Sequence, residues 1–181
     1  MHFATREEFE QFLENAPPEG GIRLQLLKKG DTRPGLTWAE AVDVALCYGW
    51  IDSQAAGTID GYRVQVFTPR RARSPWSQIN IANTERLIAE GRMRPAGQAE
   101  IDRAKSDGRW EAAYRVKDAA PSPELQAALD ASPAASAAWA SLSKQNRFAI
   151  IFRTTQPKLA ETRTRKIAEF VAMLERGETI S

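Results

Sequence analysis

The stretch TWAEAVDVALCYGWIDSQAAGTIDGYRVQVFTP, residues 37–69, decides the fold. Thr37 and Glu40 have the spacing of a capping box, in which a hydroxyl and a carboxylate reciprocally satisfy the first backbone N–H groups of a helix. The helix they open carries Ala41, Val42, Val44, Ala45, Leu46 and Tyr48, so it is apolar nearly all round and belongs at the centre of a core. Gly49 is placed to stop it in a left-handed conformation. Asp60-Gly61 is a two-residue hairpin signal, and after it Tyr62, Val64 and Val66 alternate with Arg63, Gln65 and Phe67. A central helix followed by a hairpin is therefore expected.

Working outward toward the N-terminus, Ile22, Leu24 and Leu26 alternate with Arg23 and Gln25, so Ile22 to Lys28 reads as a half-buried strand. Before it, Thr5 and Glu8 form a second capping box, Phe9, Phe12 and Leu13 share one face, and Pro17-Pro18 ends the helix. Beyond Pro69 the period changes to 3.6. Helices are expected around Ile81, Leu87 and Ile88, ended by Gly91, and from Pro95 through Ile101 and Ala104, ended by Gly108. Two short helices follow, with Leu125, Ala128 and Leu129 on the first and Trp139 on the second. Another spans Arg147 to Arg153, and the last has the stripe Ile167, Phe170, Val171 and Leu174 before Gly177. The fold class is α+β: a small antiparallel sheet with packed helices in the N-terminal half, and an all-helical C-terminal half. The expected organisation is an α-β-α-β-β subdomain over 1–76 and a helical subdomain over 77–181, packed as one compact unit.

The 181 residues suffice for a real core without staples, and 27% charged against 43% hydrophobic residues excludes a mainly disordered chain. The longest apolar stretches, Val44 to Tyr48 and Ala149 to Phe152, are far shorter than the roughly 20 residues that cross a bilayer. The opening MHFATREEFEQFLE places acids where a secretion signal needs basic residues, so a cytoplasmic location is expected. With one cysteine, Cys47, and one histidine, His2, there is no internal disulfide, no Ser-His-Asp set and no zinc site of familiar spacing. No cofactor or metal is expected. Cys47, Trp38 and Trp139 are assigned to packing, and His2 to a loose chain end.

The net charge of +2 hides an uneven distribution. The N-terminal third is acidic, whereas Tyr62 to Thr84 holds no acid and includes Arg63, Arg70, Arg71 and Arg73. The main candidate site is the junction from Phe67 to Asn80, where a strand runs into a helix start. Arg70, Arg71, Arg73, Ser74, Ser77 and Asn80 are suited to a phosphate or carboxylate at the positive end of a helix, with Trp76 as a stacking wall. The plain structural reading pairs the arginines with N-terminal acids, makes Ser77 or Asn80 an N-cap and puts Trp76 in the core. Asp52 stands ready to face the arginines across the hairpin beside Trp50, although a turn residue is the simpler reading. Arg92, Arg94 and Arg109 are candidates for a secondary basic surface, the last next to Trp110. Arg163 and Arg165, with Lys166, sit at the front of the last helix, where cations oppose the dipole.

Several blocks also resemble the YdeI/OmpD-associated, or bacteriocin-protection, family. They are CYGWID at 47–52, FTPRRARSPWSQIN at 67–80, GRMRPAG at 91–97, AKSDGRW at 104–110, Asn146-Arg147 and TRTRKI at 162–167. The resemblance runs over essentially the whole chain. It implies a bacterial protein whose family is linked by name to tolerance of bacteriocins or antimicrobial peptides and to an outer-membrane porin. It implies no reaction and no catalytic residues.

The reading that follows is a non-enzymatic binding or stress-tolerance protein that recognises an anionic small molecule or an acidic protein surface through the central arginines. Two alternatives stand beside it. A nucleic-acid-binding module would use the arginines on phosphates and Trp76 on bases, and is disfavoured by the mild overall charge. An enzyme using Asp52 or Asp107 on an anionic metabolite ranks lower, since the usual general bases are absent or unpaired. Membrane insertion is not expected, and no oligomeric state is legible.

Overall fold

A computed structural model of the chain describes residues 1–15, 17–114, 119–157 and 159–180. Among these, three strands and eight helices follow the order α1 (Arg6–Glu14), β1 (Ile22–Leu26), α2 (Trp38–Cys47), β2 (Trp50–Ile59), β3 (Tyr62–Pro69), α3 (Gln78–Ala89), α4 (Pro95–Ser106), α5 (Pro123–Asp130), α6 (Pro133–Ser141), α7 (Lys144–Thr155) and α8 (Ala160–Glu175). The sheet is antiparallel in the order β1-β3-β2. The α+β class and the all-helical C-terminal half stand as expected.

Each element has a local cause. Thr37 Oγ1 accepts from Glu40 N–H while the Glu40 carboxylate accepts from Thr37 N–H at 3.0 Å, a complete capping box. At α1 the reciprocal bond falls one residue earlier: Glu8 accepts from Ala4 N–H at 2.7 Å while Thr5 caps Glu8. Asp60 (φ 50°) and Gly61 (φ 82°) turn β2 into β3, the double positive φ that suits the right-handed strand twist. On β1 the inward residues Ile22, Leu24 and Leu26 are buried.

The chain divides into two compact units, Met1–Tyr114 and Arg115–Ser181. The expected boundary at residue 76 is thereby moved: α3 and α4 bury Ile81, Leu87, Ile101 and Ala104 in the same core as the sheet, so they belong to the first unit. Helix α2 is the centre of that core, with Ala41, Val42, Val44, Ala45, Leu46 and Cys47 all buried. Removing a Val or Leu side chain from water is worth about 1.5–3 kcal/mol, so this one helix supplies a large share of the unit's stability. Its end meets α4 backbone to backbone. A Cβ at Gly97 would overlap the carbonyl oxygens of Cys47 and Leu46, and Arg94 N–H donates to Cys47 O at 3.2 Å. Gly49 has φ 74°, and a Cβ there would stand 2.9 Å from Ala96 O. Both conformation and space therefore demand glycine at the corner that carries the site.

The N-terminus is tied rather than loose. Met1 N donates to Arg23 O and Gln25 N–H to Met1 O, while His2 meets Pro34 O and the edge of the Tyr62 ring. In the second unit, α5 to α8 gather Leu125, Leu129, Ile150, Ile151, Ile167 and Leu174, with Ser122, Ser132 and Ser143 capping three helices.

Candidate functional site

The junction after β3 is a built structure rather than a loose basic loop. Arg70 N–H donates to Gly49 O at 2.9 Å, holding the exit of β3 against the corner between α2 and β2. The chain then turns: Ser74 N–H donates to Arg71 O, and Ser74 Oγ accepts from Arg71 N–H at 3.1 Å. The segment 109–114 clamps this turn from outside. Arg109 Nη1 donates to Ser74 O at 2.8 Å, Tyr114 N–H to Trp76 O at 3.1 Å, and Gln78 N–H to Tyr114 O at 2.9 Å. The Trp76 and Trp110 rings lie 5.0 Å apart, which seals the same side with apolar surface.

The consequence is that Arg70 is only 6% exposed. Its guanidinium lies 3.7 Å from the centre of the Trp76 ring, itself 2% exposed. Nη1 donates to Pro75 O at 3.3 Å. Nε and Nη2, on the fork that meets a carboxylate side-on, are buried and have no hydrogen-bond partner among the described residues. Burial pushes the guanidinium down to about 10, with Glu100 the strongest opposing influence, so it stays charged at neutral pH. A buried guanidinium with two of its three nitrogens lacking an acceptor among the described residues is expensive.

Around Arg70 stand groups that the sequence reading partly missed. Asp52 lies on β2 opposite Phe67, not in a turn as the simpler reading had it. Its carboxylate accepts from the Trp38 indole at 3.1 Å, and burial raises its pKa. Trp38, assigned to packing, is 41% exposed, with its indole N–H bonded to Asp52. Burial raises the Tyr114 hydroxyl as well, while Arg70 works against it. Glu100, on α4, pairs with Arg103 at 2.9 Å through one oxygen and leaves Oε2 buried without a partner among the described residues. Only its place beside the stripe Gly97, Ile101 and Ala104 hinted at it.

The other candidates separate. Ser77 caps α3 by accepting from Asn80 N–H at 3.2 Å, so Ser77 and Asn80 shape the helix start. Trp50 is buried in the core. Arg71 and Arg73 are exposed on the outside of the turn. Arg92 reaches Glu10 at 3.5 Å, and Arg94 reaches Glu14 at 3.6 Å, so both tie the 91–94 loop to acids of α1. Arg109 pairs with Asp107 at 2.8 Å as well as holding Ser74 O. On α8, Arg165 approaches Glu169 at 3.7 Å, and Arg163 donates to Pro157 O at 3.1 Å. Among the described residues no three His, Cys, Asp or Glu side chains converge as a metal would require. No helix there is long and apolar enough to cross a membrane. The Cys47 thiol is buried and pushed up to about 11, which makes it a poor nucleophile.

Two family models match the chain. The model described as Domain of unknown function (DUF8412) covers residues 1–100, and that described as Bacteriocin-protection, YdeI or OmpD-Associated covers residues 118–177. The second match is thus narrower than the resemblance over the whole chain. Asn146-Arg147 and residues 162–167 fall inside it, while the blocks at 47–52, 67–80 and 91–97 fall inside the first. No curated protein and no solved structure matches. The chain therefore belongs to the DUF8412 domain family through the unit that holds Arg70, while residues 118–177 are similar to the bacteriocin-protection, YdeI or OmpD-associated family.

Proposed function

We propose that this is a non-enzymatic binding protein of the bacteriocin-protection kind that recognises an anionic ligand, with Arg70 as the anchor and Trp76 as the wall behind it. One observation carries the reading: a guanidinium 6% exposed, with Nε and Nη2 unbonded among the described residues. That edge matches the two oxygens of a carboxylate or phosphate, and two parallel charge-assisted bonds would offset the desolvation already incurred. The exposed Arg71 and Arg73 add attraction for an anion without fixing its geometry. Ser74 and Ser77 support the site by shaping the turn and the helix start.

The test is isothermal titration of inorganic phosphate and of succinate into the protein at low ionic strength. Saturable binding of at least one, lost in Arg70→Met, is expected. Equal binding by the wild type and Arg70→Met overturns the reading.

A further inference from the structure

A groove of about 500 Å³ runs along α5 and α8 in the second unit. Its apolar lining is Ile167 and Val171 together with the alanines Ala128, Ala131, Ala168 and Ala172. Side chains this small leave a channel where larger ones would have closed the space between the helices, and helix axes approach to within about 8–10 Å according to the side chains between them. Ala131 and Ala168 are exposed while Ile167 is buried, so the groove is open to solvent above an apolar base.

The polar groups stand at the ends. Glu124 and Thr164 mark one end, and Ser132 and Glu175 the other. The twelve residues from Thr164 to Glu175 span about 16 Å along α8, three turns of a visiting helix. Ser132 Oγ donates to Glu175 Oε1 at 2.7 Å, which fixes that carboxylate at the rim. The Glu124 carboxylate is held below its ordinary value, first by its own backbone N–H and then by Ser122, so it is ionised at neutral pH. Arg163 also acts on Glu124, while its own Nη1 donates to Pro157 O. Among the described residues no lysine or arginine lines the groove.

We propose that this groove docks a cationic amphipathic helix of a partner, its small apolar face on the alanines and a lysine or arginine at each end against Glu124 and Glu175. Charge selects this occupant. A second copy of the chain laid antiparallel would set Glu175 against Glu124, like against like, and an acidic helix would meet the same repulsion. The site is independent of Arg70, which lies in the other unit.

The test uses the full chain and two labelled 16-residue alanine-leucine helices, one with lysines near both ends and the other with glutamates at the same positions. Fluorescence anisotropy is expected to show saturable binding of the lysine peptide only. Glu124→Gln/Glu175→Gln should weaken it about tenfold or more, the loss of two ion pairs near the upper end of what exposed pairs contribute. Ala168→Trp fills the channel from an exposed position and should abolish binding with unchanged circular dichroism, and Arg70→Met should leave it intact. Equal affinity for both peptides, or undiminished binding by Ala168→Trp, overturns the proposal. So does a concentration-dependent dimer of the wild type that Ala168→Trp abolishes, since it assigns the groove to a second copy.

Discussion

Replacing Arg70 by methionine separates a ligand anchor from a structural arginine, because the two readings predict opposite changes in stability. Burial brings Arg70 well below the ordinary arginine value, to about 10. At about 1.4 kcal/mol per pH unit, the fold disfavours this charge by about 3 kcal/mol. The sign follows from linkage. A basic group with a lowered folded pKa costs stability at every pH below its folded value, and the cost is relieved only as pH rises through about 10. Methionine keeps most of the side-chain volume and an apolar surface against Trp76, but it removes the charge and the two unbonded donors. It forfeits the ring contact and the bond to Pro75 O, together worth about 1–3 kcal/mol. Without ligand, Arg70→Met should therefore be as stable as the wild type or more stable by about 1–2 kcal/mol, as when buried charges give way to apolar groups. With anion at about 100 times its Kd, the wild type should gain about 2.7 kcal/mol, or roughly 10 °C in Tm, and the variant nothing. Urea denaturation and thermal melts with and without phosphate measure both. A loss of more than about 2 kcal/mol in Arg70→Met, with no anion effect on the wild type, would refute the reasoning and make Arg70 a structural residue.

Three further outcomes follow from the same geometry. Glu100→Gln should tighten anion binding several-fold by removing the carboxylate that most strongly influences Arg70; weaker binding, read by titration, would mean that Glu100 orients the guanidinium instead. Gly49→Ala should cost about 2–3 kcal/mol in urea denaturation, since it combines a positive φ with a Cβ 2.9 Å from Ala96 O, whereas Gly91→Ala, with φ 70° and open space, should cost only about 1 kcal/mol. A random single-stranded oligonucleotide should bind weakly, with a log–log salt slope no steeper than about −1.5, because burial of Arg70 leaves Arg71 and Arg73 as the exposed cations of the turn; a slope near −3 would restore the nucleic-acid reading.

Most of the first unit was legible because its signals are local. A capping box needs residues three apart, a hairpin turn needs Asp60-Gly61, and a helix stop needs a glycine, so α1, α2 and the β2–β3 turn are written within a few residues of themselves. Gly49, Gly91 and Gly108 all have the positive φ that their positions required. The arginine cluster was legible as composition, but not as a site. Arg70, Arg71 and Arg73 are chemically equivalent in the sequence, and only the long-range clamp of Arg109 on Ser74 O, Trp110 on Trp76 and Tyr114 on the start of α3 buries the first while leaving the others in water. Asp52 and Trp38 were likewise misplaced, since their bond joins residues fourteen apart and depends on how β2 lies beside α2. Along α8, periodicity located the buried stripe of Ile167 and Leu174, but the flanking alanines become a groove only because α5 lies alongside and leaves them uncovered. Backbone preference and hydrophobic period act over one to four residues, so the sequence by itself determined the elements. Desolvation acts through whatever the fold brings near, so only the tertiary structure decided which charge is buried and which apolar surface stays open.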